Sequence, residues 1–306
     1  SALLVTGLLA LVPRQKVSAI FLAVLVAFSA GRQFLWADEF RRDWTVQKNL
    51  FWQMSWRIPD LEDNTLVLLN EGALKFYADN SLSVPLNWIY APDIQLPHIP
   101  YTLFYPKNRL GEGLPSLEAG VPVTHDYLAG KFNGNTSQVL VINFSPPGCL
   151  HILDPEVDAQ NRLIADEYIR DAMPLTNPNL ILTFGLPRLP DIYGPEPSHG
   201  WCYYFQKADL ARQQGDWERV VLLGEQAFEL NDHPNDPTER FVFIEAYAHV
   251  NDWGSAEQLS LSANQVSPSY LSPMLCRLWE RIERTTSASS DKEPSVAKMT
   301  KEFSCE

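Results

Sequence analysis

The chain has 306 residues, 45% of them hydrophobic and 20% charged. That balance excludes a disordered chain, a collagen-like repeat and a disulfide-framework miniprotein. With 24 Lys+Arg against 37 Asp+Glu the net charge is −13, so the chain has no electrostatic footprint for a phosphate backbone and no nucleic acid partner is expected.

The charge is unevenly placed. Every acid lies at or after Asp38, and residues 1–37 carry only Arg14, Lys16 and Arg32. Val17–Gly31 is uncharged, and Gln33-Phe34-Leu35-Trp36 extends it beyond Arg32, whose head group can snorkel. The run from about Val17 to Trp36 then reaches the ~20 residues that a spanning helix needs. A second apolar run, Ser1–Val12, precedes it, with Pro13-Arg14-Gln15-Lys16 between. One reading makes 1–37 the membrane segment, with the basic turn inside and the acidic bulk outside the cytoplasm. The other makes the basic turn and 17–29 a signal peptide ending at Ala27-Phe28-Ser29. Both put the bulk of the chain on the extracytoplasmic side of a cell membrane, and the bilayer is an expected partner. The first residue is Ser, which agrees with the tail of a longer polytopic protein.

Residues 38–59 are expected to form an amphipathic juxtamembrane helix, with Phe40, Trp44, Phe51 and Met54 at roughly helical spacing and Pro59 as its stop. That stripe either lies on the membrane surface or packs on the domain that follows. Residues 60–198 read as a mixed α/β domain, α+β in class, with a small sheet. Thr65–Leu69 reads as a buried strand, 72–79 as a short helix, and Asn87–Tyr90 and Tyr101–Tyr105 as weaker strands. Gln138–Phe144 is the strongest strand signal and forms a hairpin with Cys149–Leu153 across Ser145-Pro146-Pro147-Gly148. Asn161–Ala172 is expected to be helical and Leu180–Phe184 a strand. Residues 199–284 are rich in helix formers and read as an all-α domain. Residues 285–306 lack periodicity and read as a disordered tail.

One repeat stands out. Gly215-Asp216-Trp217-Glu218-Arg219-Val220 is followed by Gly224 and Ala227; 36 residues on, Asn251-Asp252-Trp253-Gly254-Ser255-Ala256 is followed by Ser260 and Ala263. The pattern resembles a pair of tetratricopeptide repeats over about 200–268. The resemblance implies helical hairpins in which Ala208, Ala211, Ala227, Ala256 and Ala263 allow close helix approach. Gly215 would make the turn, Trp217 and Trp253 would open the second helices, Tyr247 would fill an aromatic position and Pro268 would close the second repeat. Both tryptophans are then expected between helices, and 269–284 caps the array. The family binds proteins or peptides, so such a partner is implied for this region. Val220, Gly224 and Ser260 depart from the family pattern.

No catalytic constellation emerges. The six histidines form no HExxH motif and no zinc spacing with the cysteines, and GxSxG, P-loop and CxxC motifs are missing from the sequence. Asp154-Pro155-Glu156-Val157-Asp158 starts like a calcium loop but has Ala159 and Ala165 where Gly and Glu are needed. No catalytic, metal-binding or cofactor-binding residue is assigned, and no cofactor is expected. Outside the cytoplasm a disulfide is expected between Cys202 and Cys276, with Cys149–Cys202 or reduced thiols as alternatives and Cys305 unpaired. The expected function is a membrane-anchored extracytoplasmic interaction module. The alternative rests on architecture: last membrane helices, an aromatic juxtamembrane helix and an exterior domain resemble the C-terminal part of polytopic bacterial glycosyltransferases that use lipid-linked sugars. There the catalytic acids lie in earlier loops, so this chain would be an exterior domain of the enzyme.

Overall fold

The computed structural model describes residue 7 and residues 15–77, 79–105, 114–127 and 130–305. The expected first membrane run, Ser1–Val12, lies outside the described residues apart from Gly7. The chain divides into two compact units, Ser1–Gln47 and Lys48–Glu306. The mixed and all-α segments, which composition separates near residue 198, share the second unit.

From Gln15 on, the first unit is part of one apolar helix. Helix α1, Gln15–Arg57, is continuous through the juxtamembrane segment. It is the helix among the described residues long and apolar enough to cross a membrane, and its most apolar stretch buries none of its residues in protein. The aromatic stripe behaves differently along its length. Phe40 is half exposed, whereas Phe51 and Met54 are fully buried, so the C-terminal part of the stripe belongs to the core of the second unit.

The second unit mixes helices with small sheets. Its main sheet has the order β3-β2-β6-β7. Strand β2 (Thr65–Leu69) lies parallel to β3 (Tyr101–Phe104) on one side and to β6 (Val139–Asn143) on the other. Strand β7 (His151–Ile152) closes the expected hairpin antiparallel to β6, with Ile142 opposite Ile152. All five residues of β2 are buried, as a strand covered on both faces requires. Two ribbons complete the sheets: β1 (Asp60–Leu61) with β8 (Ile181–Leu182), and β4 (Pro122–Tyr127) with β5 (Gly130–Asn135). One core cluster draws Leu66, Leu68, Val139 and Val141 from alternate strand positions and packs them on Ile169 and Met173.

Several local expectations change. The weak strand at Asn87–Tyr90 and the short helix at 72–79 give way to helix α2, Asp79–Tyr90. Leu82, Leu86 and Ile89 recur at helical spacing and are all buried, which sets the period. Ser83 and Asn87, one turn apart on α2, cap the outer edge of β3. Ser83 Oγ accepts from Leu103 N and donates to Leu103 O, while Asn87 pairs with Tyr101 N and O. Two side chains four apart on a helix thus satisfy two strand residues two apart, and the sheet edge is closed. The helix expected over Asn161–Ala172 shortens to α3, Glu167–Ala172, because Asp166 caps it by accepting from Tyr168 N and Ile169 N.

Six helices follow: α4 (Trp201–Gln213), α5 (Trp217–Phe228), α6 (Phe241–His249), α7 (Trp253–Val266), α8 (Pro268–Thr285) and α9 (Lys292–Glu302). The last corrects the reading of 285–306 as disordered. Val296, Met299 and Phe303 pack into the cluster that holds Trp253, Leu275 and Trp279, so a weakly periodic helix is ordered by what it covers.

The disulfides also differ from expectation. Cys202 pairs with Cys149 and Cys276 pairs with Cys305. Cys202 lies at the start of α4 beside the β6–β7 hairpin, whereas Cys276 on α8 faces the end of α9, so the Cys202–Cys276 pair does not form. The ordered C-terminal helix is what brings Cys305, expected to be unpaired, to a partner.

Candidate functional site

The two turns of the repeat are near copies. Gly215 and Asn251 both take the left-handed conformation, at φ 72° and 62°. Asp216 N donates to Ala211 O and Asp252 N to Tyr247 O, at 3.0 and 2.8 Å. Both aspartates then cap the next helix, accepting from Arg219 N and Ser255 N. This is a helix stop of the Schellman type fused to an N-cap. Asn serves where Gly does because it is the non-glycine residue that best tolerates positive φ.

The small residues sit where helices meet. Ala208, Ala227, Ala256 and Ala263 are fully buried, and Ala211 nearly so. At Gly224 a β-carbon would come within 2.8 Å of the Phe243 ring. Thirty-six residues on, Ser260 receives a hydrogen bond from Trp279 Nε1 at 3.0 Å. The aromatics at 243 and 279 are thus offset by the same 36 residues as the small positions that admit them. Tyr247 packs partly buried between two core clusters, and Pro268 opens α8 at the surface. Trp253 is buried, whereas Trp217 is only half-buried and stacks on His249 at 3.7 Å.

The first helices α4, α6 and α8 carry a charged ladder at the same offset: Asp209, Glu245 and Arg281. Arg212 Nε donates to Asp209 at 2.8 Å, and Arg281 Nη2 to Glu245 at 2.8 Å. The ladder is bound by the rest of the chain: Arg57 Nε donates to Asp209 at 2.6 Å and Arg281 to Asp154. Gln206 donates to Leu150 O, and Gln213 to Pro178 O. Burial opposes the charge of Asp209, but Arg57 and Arg212 outweigh it and hold the carboxyl well below the usual carboxylate range. This face of α4, α6 and α8 is therefore occupied by the mixed part of the same unit. The calcium-like carboxylates are used in the same way. Asp154 accepts from Glu156 N and from Arg281, and Asp158 accepts from Asp154 N. A cavity of about 50 Å³ at this junction, lined by His151, Asp158, Arg212 and Glu245 among others, has room for water and not for a metabolite.

Two buried acids beside the junction are shifted. Burial pushes the Glu239 carboxyl up to about 7, against the lowering effects of His151 and of the hydrogen bond from Cys149 N. Burial likewise raises Asp158. Among the described residues no group of three His, Cys, Asp or Glu side chains is placed to hold a metal ion.

The sheet order marks a second place. Strand β2 has its successor β3 on one side and the parallel β6 on the other, and β6 is followed by β7 on its far side, so the connections leaving β2 and β6 run in opposite directions. In an open α/β sheet such a reversal opens a crevice at the carboxyl ends of the two strands, where ligands bind. Here those ends are Asn70-Glu71-Gly72 and Phe144. The Asn70 amide ties them together, accepting from Phe144 N at 2.6 Å and donating to Phe144 O at 3.2 Å. Gly72 turns the chain at φ 83°, and Glu71 N donates to Asp166 at 3.0 Å. The Tyr77 and Tyr105 rings meet at a tilt of 42°, their centroids 3.8 Å apart. Glu71 Oε1 is buried without a hydrogen-bond partner. Nothing local in Asn70-Glu71-Gly72 marks this place, because its significance depends on strand order.

Comparison with protein-family models, with curated proteins and with solved structures returns no match.

Proposed function

We propose that this chain is a membrane-anchored, extracytoplasmic binding module. The observation that carries the reading is α1, whose apolar stretch is unburied by protein along its whole length. Water does not tolerate a bare apolar surface of that size, and a bilayer does. The side of the membrane is supported by the two disulfides, which persist in oxidising compartments, and by a first charge-free stretch flanked by Lys16 with every acid beyond it.

Within this proposal the helical hairpins are tetratricopeptide-like. The support is the paired Gly215 and Asn251 turns and the recurrence of small residue against aromatic every 36 residues. Their first helices serve as scaffold, because the mixed part occupies their inner face. A protein or peptide partner would meet the outer helices α5 and α7, and a small polar ligand would meet the crevice at Asn70, Glu71 and Asp166.

The test is fractionation of cells expressing the chain, with protease added to intact spheroplasts. The expected result is retention in carbonate-washed membranes and digestion of 48–306 from outside. Release by carbonate overturns the anchor, and protection from protease overturns the side.

A further inference from the structure

Beside α2 lies an apolar pocket of about 320 Å³, lined by Val84, Trp88, Ile94, Leu96, Ile99 and Tyr127, with Ser83 and Asn87 at its floor. That volume falls in the range of small-molecule sites, roughly 300–1,000 Å³. The polar atoms of the floor are already committed. Ser83 and Asn87 close the edge of β3, as described above. Tyr127 Oη lies 2.6 Å from Thr102 Oγ1 and 3.1 Å from Ser83 Oγ. A polar ligand entering here would leave its own donors and acceptors unpaired, at the desolvation cost of each. A hydrocarbon meets no such cost.

The mouth is apolar as well. Val84, Trp88 and Leu96 are 61, 53 and 59% exposed, an unusual concentration around one opening. Tryptophan suits a boundary between hydrocarbon and water. We infer that this pocket takes the acyl chain of a bilayer lipid. The inference rests on the membrane attachment proposed above, because a chain tethered to a bilayer meets lipid at high effective concentration.

The test uses the full chain in phosphatidylcholine vesicles doped with phosphatidylcholine that carries a photoactivatable diazirine on its acyl chain. After illumination, adducts are mapped by peptide mass spectrometry. The inference expects adducts on 81–100 in addition to those on 17–36. Ala91→Trp, which fills the pocket, should lower the 81–100 adducts roughly tenfold and leave 17–36 unchanged. Leu96→Asp, which charges the exposed mouth without touching the core, should act in the same direction if Ala91→Trp does not fold. Adducts confined to 17–36, or adducts on 81–100 that neither variant reduces, overturn the inference and leave the pocket to an apolar side chain of a protein partner. Adducts missing from 17–36 count against the anchor instead, whatever 81–100 shows, so the two readings fail separately.

Discussion

The hairpins α4–α5 and α6–α7 are built on the same turn, yet their tryptophans have different fates. Gly215-Asp216-Trp217 and Asn251-Asp252-Trp253 share a left-handed residue, a six-to-one hydrogen bond and an aspartate cap. Trp253 is 4% exposed and donates to Ser289 Oγ at 3.0 Å, whereas Trp217 lies half-buried against His249. The difference arises outside the motif. The second hairpin is followed by α8 and α9, which close over Trp253, whereas Trp217, packed at the edge of its own cluster and against His249, stays only partly covered. Local chemistry dictates the path of the backbone, and burial is dictated by what packs next.

The sharpest way to break this comparison is to delete both rings. Trp253→Ala should destabilise by about 3–5 kcal/mol. Trp217→Ala should cost less, about 1–2 kcal/mol, since the ring gives up only part of a full burial together with one stacking contact. Equal losses in chemical denaturation would sink the argument that cover separates the two.

The segment joining the hairpins carries Glu239, and it makes the pair sensitive to pH. Its folded carboxyl, raised to about 7 from an ordinary 4.5, holds its proton more tightly than the unfolded chain does. That stabilisation is complete below about pH 4.5 and is lost as pH rises through 7, at most ~3 kcal/mol. Asp158 shifts in the same direction. Urea melts at pH 5 and pH 7.5 should show wild type losing stability across this interval and Glu239→Gln losing much less. Parallel losses in the two proteins would remove Glu239 as the cause.

The helix crossings give a finer test. Gly224→Ala drives a β-carbon into Phe243 and should cost about 1–3 kcal/mol. Ser260→Ala leaves Trp279 Nε1 unpaired in the core and should cost a similar ~1–3 kcal/mol by a different route. Thermal melts distinguish them through the double variant Phe243→Leu with Gly224→Ala, in which the first loss should shrink. The smallest effect belongs to the turn itself. Asn251→Gly should change stability by only a few tenths of a kcal/mol, because both residues accept positive φ. A large loss there would mean that Asn251 does more than turn the chain.

Much of this organisation is legible in the residues. The acid-free apolar run before Asp38, the buried strand at Thr65–Leu69, the hairpin around Ser145–Gly148 and the paired helix turns all follow from short-range pattern, since each depends on neighbours within one or two turns of chain. The misread elements depend on distant partners. Asn87–Tyr90 looks extended until Leu82 and Leu86 join it on one helical face. Residues 285–306 look disordered until α9 lies on Trp253 and Trp279. Cys202 has three other cysteines to choose from, and only the docking of α4 on the β6–β7 hairpin selects Cys149.

The candidate sites divide along the same line. Sequence alone determined that a long apolar segment precedes an acidic chain, and that one helical hairpin is copied 36 residues later. Both are properties of composition and period, which are written along the chain. Tertiary structure decided that the inner face of the hairpins is occupied by Arg57 and Asp154, that β2 is the strand at which the sheet reverses, and that the polar floor beside α2 is already satisfied. Each of these depends on residues brought together from far apart, and the free energy that selects such pairings appears only when the surfaces that carry them are buried against each other.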